Sequence, residues 1–146
     1  MAPRIRTVLG SAERTLLSAP RRRPFSSDAW AADVPSVAGV YGIWDTKRRC
    51  LIHIGETSDL HHRFRDLRRA INHTFTKKVR AYLELPKSTS DSDVCGHMSR
   101  RFELAFLPVP FGRSEIEEFL VLRYRSTVLN KPAKRLLRGA QYDWVQ

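Results

Sequence analysis

Tyr41, His53 and Arg63 are residues whose types and spacing would suit chemistry on an anion. A phenol and an imidazole can each orient or accept a proton. Histidine, with an unperturbed pKa of about 6.5, is partly available as a base at neutral pH, whereas tyrosine, at about 10, must first be perturbed. Arginine adds a permanently charged planar fork that matches phosphate oxygens. Taken alone, these three groups support nucleic-acid binding and nothing narrower.

To act together they must be folded onto one surface. Val40-Tyr41-Gly42-Ile43-Trp44 and Leu51-Ile52-His53-Ile54-Gly55 read as two short apolar strands. Side chains alternate along a strand, so Tyr41 and His53 can face the same side of a hairpin whose turn, Asp45 to Arg49, is polar throughout. Thr57 or Ser58 is placed to cap a following helix, in which Leu60, Phe64, Leu67 and Ile71 recur at spacings of three and four. Arg63 stands beside that stripe. Upstream, Ala12 to Ser18 reads as a short helix ended by Pro20. Downstream, Lys77 to Leu85 reads as a helix carrying Val79, Tyr82 and Leu83, and Leu85 to Asp93 as a loop. In Arg101 to Leu107, Phe102, Leu104 and Phe106 alternate with Arg101, Glu103 and Ala105, the pattern of a strand ended by Pro108 and Pro110. A last helix follows Gly112-Arg113. This order, strand, strand, helix, strand, helix, supports an α+β class without specifying a topology.

The run Gly39-Val40-Tyr41, His53-Ile54-Gly55 and Arg63 resembles the signature of the GIY-YIG nuclease superfamily: a Gly-Ile/Val-Tyr strand, a Tyr-Ile-Gly strand, and an arginine ten residues after the second tyrosine. The approach Val34-Pro35-Ser36-Val37-Ala38 is similar to the lead-in of the nuclease module of excision-repair incision proteins, and the likeness spans about residues 34 to 130. His53 stands where the family usually has its second tyrosine. The resemblance implies an α/β fold, an α+β sandwich with a small three-stranded antiparallel sheet flanked by helices. It also implies a glutamate on a later helix and an asparagine beyond it, commonly twelve residues apart, and Glu118 and Asn130 have that separation. Glu115 and Glu117 compete with Glu118. Ser114-Glu115-Ile116-Glu117 has the Ser-x-x-Glu form of a capping box, which gives Glu117 a structural task, and Glu115 falls in the first helical turn, where the dipole favours a carboxylate regardless of chemistry.

The implied activity is that of a metal-dependent endonuclease hydrolysing DNA phosphodiester bonds. Hydrolysis requires an activated water, a cation to offset developing charge and a route for leaving-group stabilisation. Glu118 would hold Mg2+ or Mn2+, Arg63 would neutralise the phosphate, Tyr41 or His53 would orient or deprotonate the attacking water, and Asn130 would supply a supporting hydrogen bond. The alternatives are a nucleic-acid-binding module derived from a nuclease, in which His53 marks lost catalysis, and a basic RNA-associated protein sharing the spacing by chance.

Composition agrees with a polyanionic partner. The chain has 146 residues, a net charge of +11 and a pI near 10.5. Arg65, Arg68, Arg69, Lys77, Lys78 and Arg80 cluster after Arg63 with Asp66 as the sole acid, and suit phosphate contacts. Residues 1–30 form a basic segment able to be flexible, with the nuclease-like domain over 31–146. That segment suits a mitochondrial transit peptide or a nucleic-acid-binding arm, so the location is cytoplasmic and nucleoid-associated or the mitochondrial matrix. No run of about 18 apolar residues is present, so no membrane span is expected. Cys50 and Cys95 lack partners at zinc-ligand spacing and read as thiols of a reducing compartment. Asp91, Asp93, Cys95 and His97 alternate through the expected loop without a second ligand pair. Trp44 and Phe64 read as core rather than base-stacking platforms.

Overall fold

The expected hairpin is formed, by β1 (Gly39–Asp45) and β2 (Cys50–Thr57) running antiparallel. Tyr41 pairs with Gly55 and Ile43 with His53, but Trp44 pairs with Leu51, so Ile52 is an extra residue in β2. A bulge of this kind lets two successive side chains turn to one face. Ile52 joins the cluster around Tyr41 and Ile43, and the His53 ring lies 5.9 Å from the Tyr41 ring on that same side. A third strand, β3 (Phe102–Pro108), pairs with the other edge of β1, giving the order β2-β1-β3. The computed structural model describes residues 2–23, 33–68 and 73–132.

The sheet buries both faces, which is why β1 carries no charge before its last residue, Asp45, and is fully buried. One face packs Tyr41, Ile43, Ile52, Phe102 and Leu104 against helices α2 (Leu60–Arg68), α3 (His73–Tyr82) and α4 (Asp91–Arg101). The other packs Val40, Trp44, Leu51 and Ile54 against α1 (Ala2–Ser18) and α5 (Arg113–Arg123). The α+β sandwich with a three-stranded antiparallel sheet is therefore observed.

Four local expectations are corrected. The N-terminal helix runs from Ala2 to Ser18, and Leu9 and Leu16, 5% and 1% exposed, sit in the same core as α5. Burying one such leucine contributes about 2 kcal/mol, and Glu13 also pairs with Arg123 at 2.7 Å and accepts a hydrogen bond from the Tyr124 hydroxyl at 3.0 Å. Residues 2–23 are thus packed into the domain rather than standing apart as a flexible arm. The cap of α2 is Asp59, whose Oδ1 accepts from His62 N at 3.0 Å; Thr57 instead bonds the Asp59 backbone and steadies the cap. The expected loop ends at Ser90, whose hydroxyl accepts from Asp93 N at 3.1 Å and starts α4. On a helix, residues two apart do not face one another, and among the described residues no group of three or more His, Cys, Asp or Glu converges. Ile71, Arg69, Tyr142, Trp144 and the basic residues from Lys134 onward lie outside the described residues.

The turn end of the hairpin is fixed by Asp45, which has no exposure to solvent. Its carboxylate accepts from Arg101 Nε and Nη2 at 2.9 and 2.7 Å, from Lys47 N at 2.9 Å and from the Tyr82 hydroxyl. Burial alone would raise the pKa of this carboxyl, but the Arg101 and Tyr82 hydrogen bonds outweigh it and hold the group at about 2. A depressed carboxyl contributes stability that is present above its unfolded pKa, here 3.8, and is lost as pH falls through about 2. Asp45→Ala removes the partner of a mostly buried guanidinium and is expected to cost about 3 kcal/mol at pH 7 by urea denaturation. The difference from the parent protein should shrink between pH 4 and pH 2.

Candidate active site

Tyr41, 1% exposed, anchors the site from β1. Its phenol passes across Gly55: a Cβ at position 55 would stand 2.3 Å from the Tyr41 hydroxyl, so only glycine leaves room for it. Phe64 holds the ring from α2 by an edge-on contact at 5.6 Å. Burial pushes the phenol up to about 12; Arg63, within hydrogen-bonding reach of the hydroxyl, opposes the rise, while Glu117 and Glu56 add to it. At neutral pH Tyr41 is a hydrogen-bond donor and not a phenolate.

His53 differs from the expected near-neutral base. It is 9% exposed and packs 4.6 Å from the Phe75 ring, and its buried Nδ1 makes no hydrogen bond. Burial, then the charges of Lys78 and Arg63, pull its pKa down to about 3. At pH 7 it is a neutral imidazole about four units from its pKa, too weak a base to hold a proton in the ground state.

Glu117, next to the expected Glu118, is the carboxyl whose charge bears on Tyr41. The capping box that assigned Glu117 to structure does not form: α5 starts at Arg113 from a left-handed Gly112 (φ 79°), which has no side-chain cap, and Ile116 N bonds to Gly112 O. Ser114 therefore falls inside the first turn, and Glu117 lies four residues after Arg113 on one helix face. Both engage Glu56, the residue after Gly55. Arg113 forms an ion pair with the Glu56 carboxylate, and the Glu117 carboxyl accepts from the Glu56 backbone N–H. Burial first, then the neighbouring charges of Glu56 and Glu118, raise Glu117 to about 7, with the Glu56 N–H and Arg63 opposing. Glu118, half-buried on the next position, bears on the site through its charge on Glu117.

Asn130 has a different task from the one expected. Its Oδ1 accepts from Ile54 N at 3.0 Å and its Nδ2 donates to Ile54 O at 2.7 Å, while Leu129 N donates to Ile52 O at 2.6 Å. The carboxamide thus acts as a strand partner for Ile54 on the outer edge of β2, using both its polar ends, while the Leu129 backbone serves Ile52 on the other side of His53.

The six basic residues assigned to phosphate contact separate in the structure. Arg65 is exposed beside His62, Lys77 is exposed on α3, and Lys78 is half-buried one turn after Phe75. Arg80 braces α3 to the loop before α4 through Thr89 O and Asp91, the latter at 2.7 Å, and so is not a free cation. Arg69 and the Arg68 side chain lie outside the described residues. The sequence reading passed over Glu56 and Arg113; the signals were a carboxylate directly after the Ile-Gly strand and an Arg-x-x-x-Glu spacing at the start of α5.

No protein-family model, curated protein or solved structure matches the chain. No helix among the described residues is long and apolar enough to cross a membrane.

Two titrations follow from the geometry. The Glu117 carboxyl is expected to titrate near pH 7 by carbon-13 NMR, and Glu56→Gln to lower that value, because it removes a like charge and frees Arg113. A carboxyl with a raised folded pKa contributes stability that is present below its ordinary 4.5 and lost as pH rises through about 7. Glu117→Gln should therefore raise Tm at pH 8 and leave it near the parent value at pH 5.

Proposed function

We propose that this protein is a metal-dependent endonuclease hydrolysing phosphodiester bonds of DNA, of the GIY-YIG type its sequence resembles. One observation carries the reading: beside Gly55 the Arg63 guanidinium from α2 is within hydrogen-bonding reach of the Tyr41 hydroxyl from β1, and the Glu117 carboxyl from α5 acts on both through its charge, although the three are far apart in the chain. A permanent cation, a buried proton donor and a carboxyl poised near neutrality are the groups such a reaction requires.

Arg63 binds the phosphate and offsets the charge that develops on it. Glu117 would hold Mg2+ or Mn2+. Burial raises the pKa of this carboxyl first and the like charges of Glu56 and Glu118 add to the rise; a bound dication would offset those charges, with Glu117 as the one carboxylate ligand this reading assigns. Magnesium keeps several waters and needs only one or two carboxylates beside the substrate phosphate. The ion would supply Lewis acidity toward the phosphoryl group. Tyr41 donates its hydroxyl proton as a hydrogen bond and orients either the attacking water or a phosphate oxygen. His53, neutral and packed between Tyr41 and Phe75, supports the tyrosine ring instead of taking a proton. A binding module that no longer cuts is the second reading. It is favoured by the pKa values of Tyr41 and His53, about 12 and about 3, which leave neither as a base at neutral pH.

Purified protein incubated with plasmid and branched DNA should cut with Mg2+ or Mn2+ and not with a chelator. Glu117→Gln and Arg63→Ala should each lower the rate by about a hundredfold or more with unchanged circular dichroism, whereas Glu118→Gln should cost less than about tenfold. Loss of activity in Glu118→Gln with activity kept in Glu117→Gln would return the metal to Glu118. Salt-sensitive binding without cutting under any divalent ion would establish the binding module.

A further inference from the structure

The helices α2 and α3 reach the site in parallel ways. On α2, Phe64 packs its edge on Tyr41, and Arg63 precedes it. On α3, Phe75 packs on His53 at 4.6 Å, and Lys78 follows three positions later on the same helix face, half-buried. Each helix thus contributes one aromatic anchor to the tyrosine–histidine pair and one cation beside it.

The two cations stand out by what they lack. Arginines that join elements are matched: Arg113 by Glu56, Arg101 by Asp45, Arg123 by Glu13 and Arg80 by Asp91. Neither Arg63 nor Lys78 forms an ion pair with a described residue. Arg63 has the Tyr41 hydroxyl and the charge of Glu117 beside it, whereas Lys78 brings a second positive charge to bear on the His53 ring without a described counterion, an arrangement that persists at a cost unless an anion joins it. The His53 ring on which both charges act is neutral at pH 7, and its buried Nδ1 has no partner. A protonated side chain there would add a third positive charge. An uncharged ring does not compete with the cations for the anion.

We propose that Lys78 grips the backbone phosphate next to the one held by Arg63, so that the site engages two successive phosphates of a nucleic-acid strand. The inference rests on the nuclease reading for which strand lies there and which of its phosphates is cut. It makes Lys78 a positioning residue and sets it apart from Lys77, its exposed neighbour. It also gives the site a substrate requirement: a strand continuing at least one phosphate beyond the scissile bond.

The test separates binding from cutting. A fluorescent DNA oligonucleotide is titrated with the full chain carrying Glu117→Gln, in chelator, across a series of salt concentrations. Adding Lys78→Ala should weaken binding about tenfold near 0.15 M salt and reduce the salt slope by about one. Lys78→Arg should restore both, and Lys87→Ala, which removes one exposed charge elsewhere, should leave affinity within about twofold. In the cutting-competent chain, Lys78→Gln should raise KM more than it lowers kcat. Should Lys78→Ala prove unstable by circular dichroism, Lys78→Gln takes its place in the binding series. A Lys78 variant that binds with the salt slope of Lys87→Ala overturns the proposal, whether or not the parent protein cuts. A reduced slope in a protein that never cuts would uphold the phosphate contact and reject the nuclease reading.

Discussion

The arrangement depends on one close approach, that of the Tyr41 ring to the bare backbone at Gly55. A single Cβ at position 55 would occupy the space of the hydroxyl. Because that space is open, a phenol rooted in the central strand reaches across its antiparallel neighbour toward the helices beyond. The α2 guanidinium is then within hydrogen-bonding reach of it, and the α5 carboxyl acts on it through its charge. The contact also fixes register. Tyr41 and Gly55 are direct partners, and a slip by one residue would set the ring against Ile54 or Glu56. The bulge adds Ile52 to the face that Tyr41 and His53 already share through regular pairing, while Leu51 remains in the opposite core.

Around that contact the charges oppose one another in two directions. On one side burial, with the charges of Glu56 and Glu118 added to it, makes the Glu117 carboxyl keep its proton longer than usual. Arg63 and Lys78 crowd the other, and an imidazole there sheds its proton early. Both effects grow as water is excluded, since burial strengthens the field each charge exerts. The result at neutral pH is a site whose two rings are uncharged while its guanidinium is charged and its central carboxyl stands midway. Nearby, the paired arginines at Glu56, Asp45 and Glu13 join elements together and are already neutralised.

Much of this was legible from residue types. The alternation in Val40–Trp44 and Leu51–Gly55, with a polar turn between, specified the hairpin and the shared face of Tyr41 and His53, because a buried strand leaves few other patterns. Phe102, Leu104 and Phe106 marked the third strand in the same way. What misled was local chemistry read without its neighbours. Ser114 followed by Glu117 has the form of a capping box, yet the helix starts from the left-handed Gly112, so Ser114 falls within its first turn and does not cap it. Asp91 to His97 looked like loop because its polar residues hide the buried pair Val94 and Met98. An ordinary histidine pKa was expected of His53 because burial and the approach of Lys78 are tertiary facts, invisible in a strand's own sequence. Asn130 had the spacing of a site residue, and nothing in its sequence indicated that both ends of its amide would be used on Ile54.

That amide has a consequence for how the protein behaves toward copies of itself. A sheet of only three strands has two open sides, and each exposes backbone groups to which another chain can add. Here both are occupied without a fourth strand. Arg22 exchanges two backbone bonds with Leu104 along the outer side of β3, and the Leu129–Asn130 segment covers β2 at Ile52 and Ile54. These covers are short and come from segments beside α1 and α5, so they block strand addition without lengthening the sheet. The asparagine thus does for self-association what the glycine does for chemistry: it keeps the strand that carries His53 a terminus of the sheet instead of a template for aggregation.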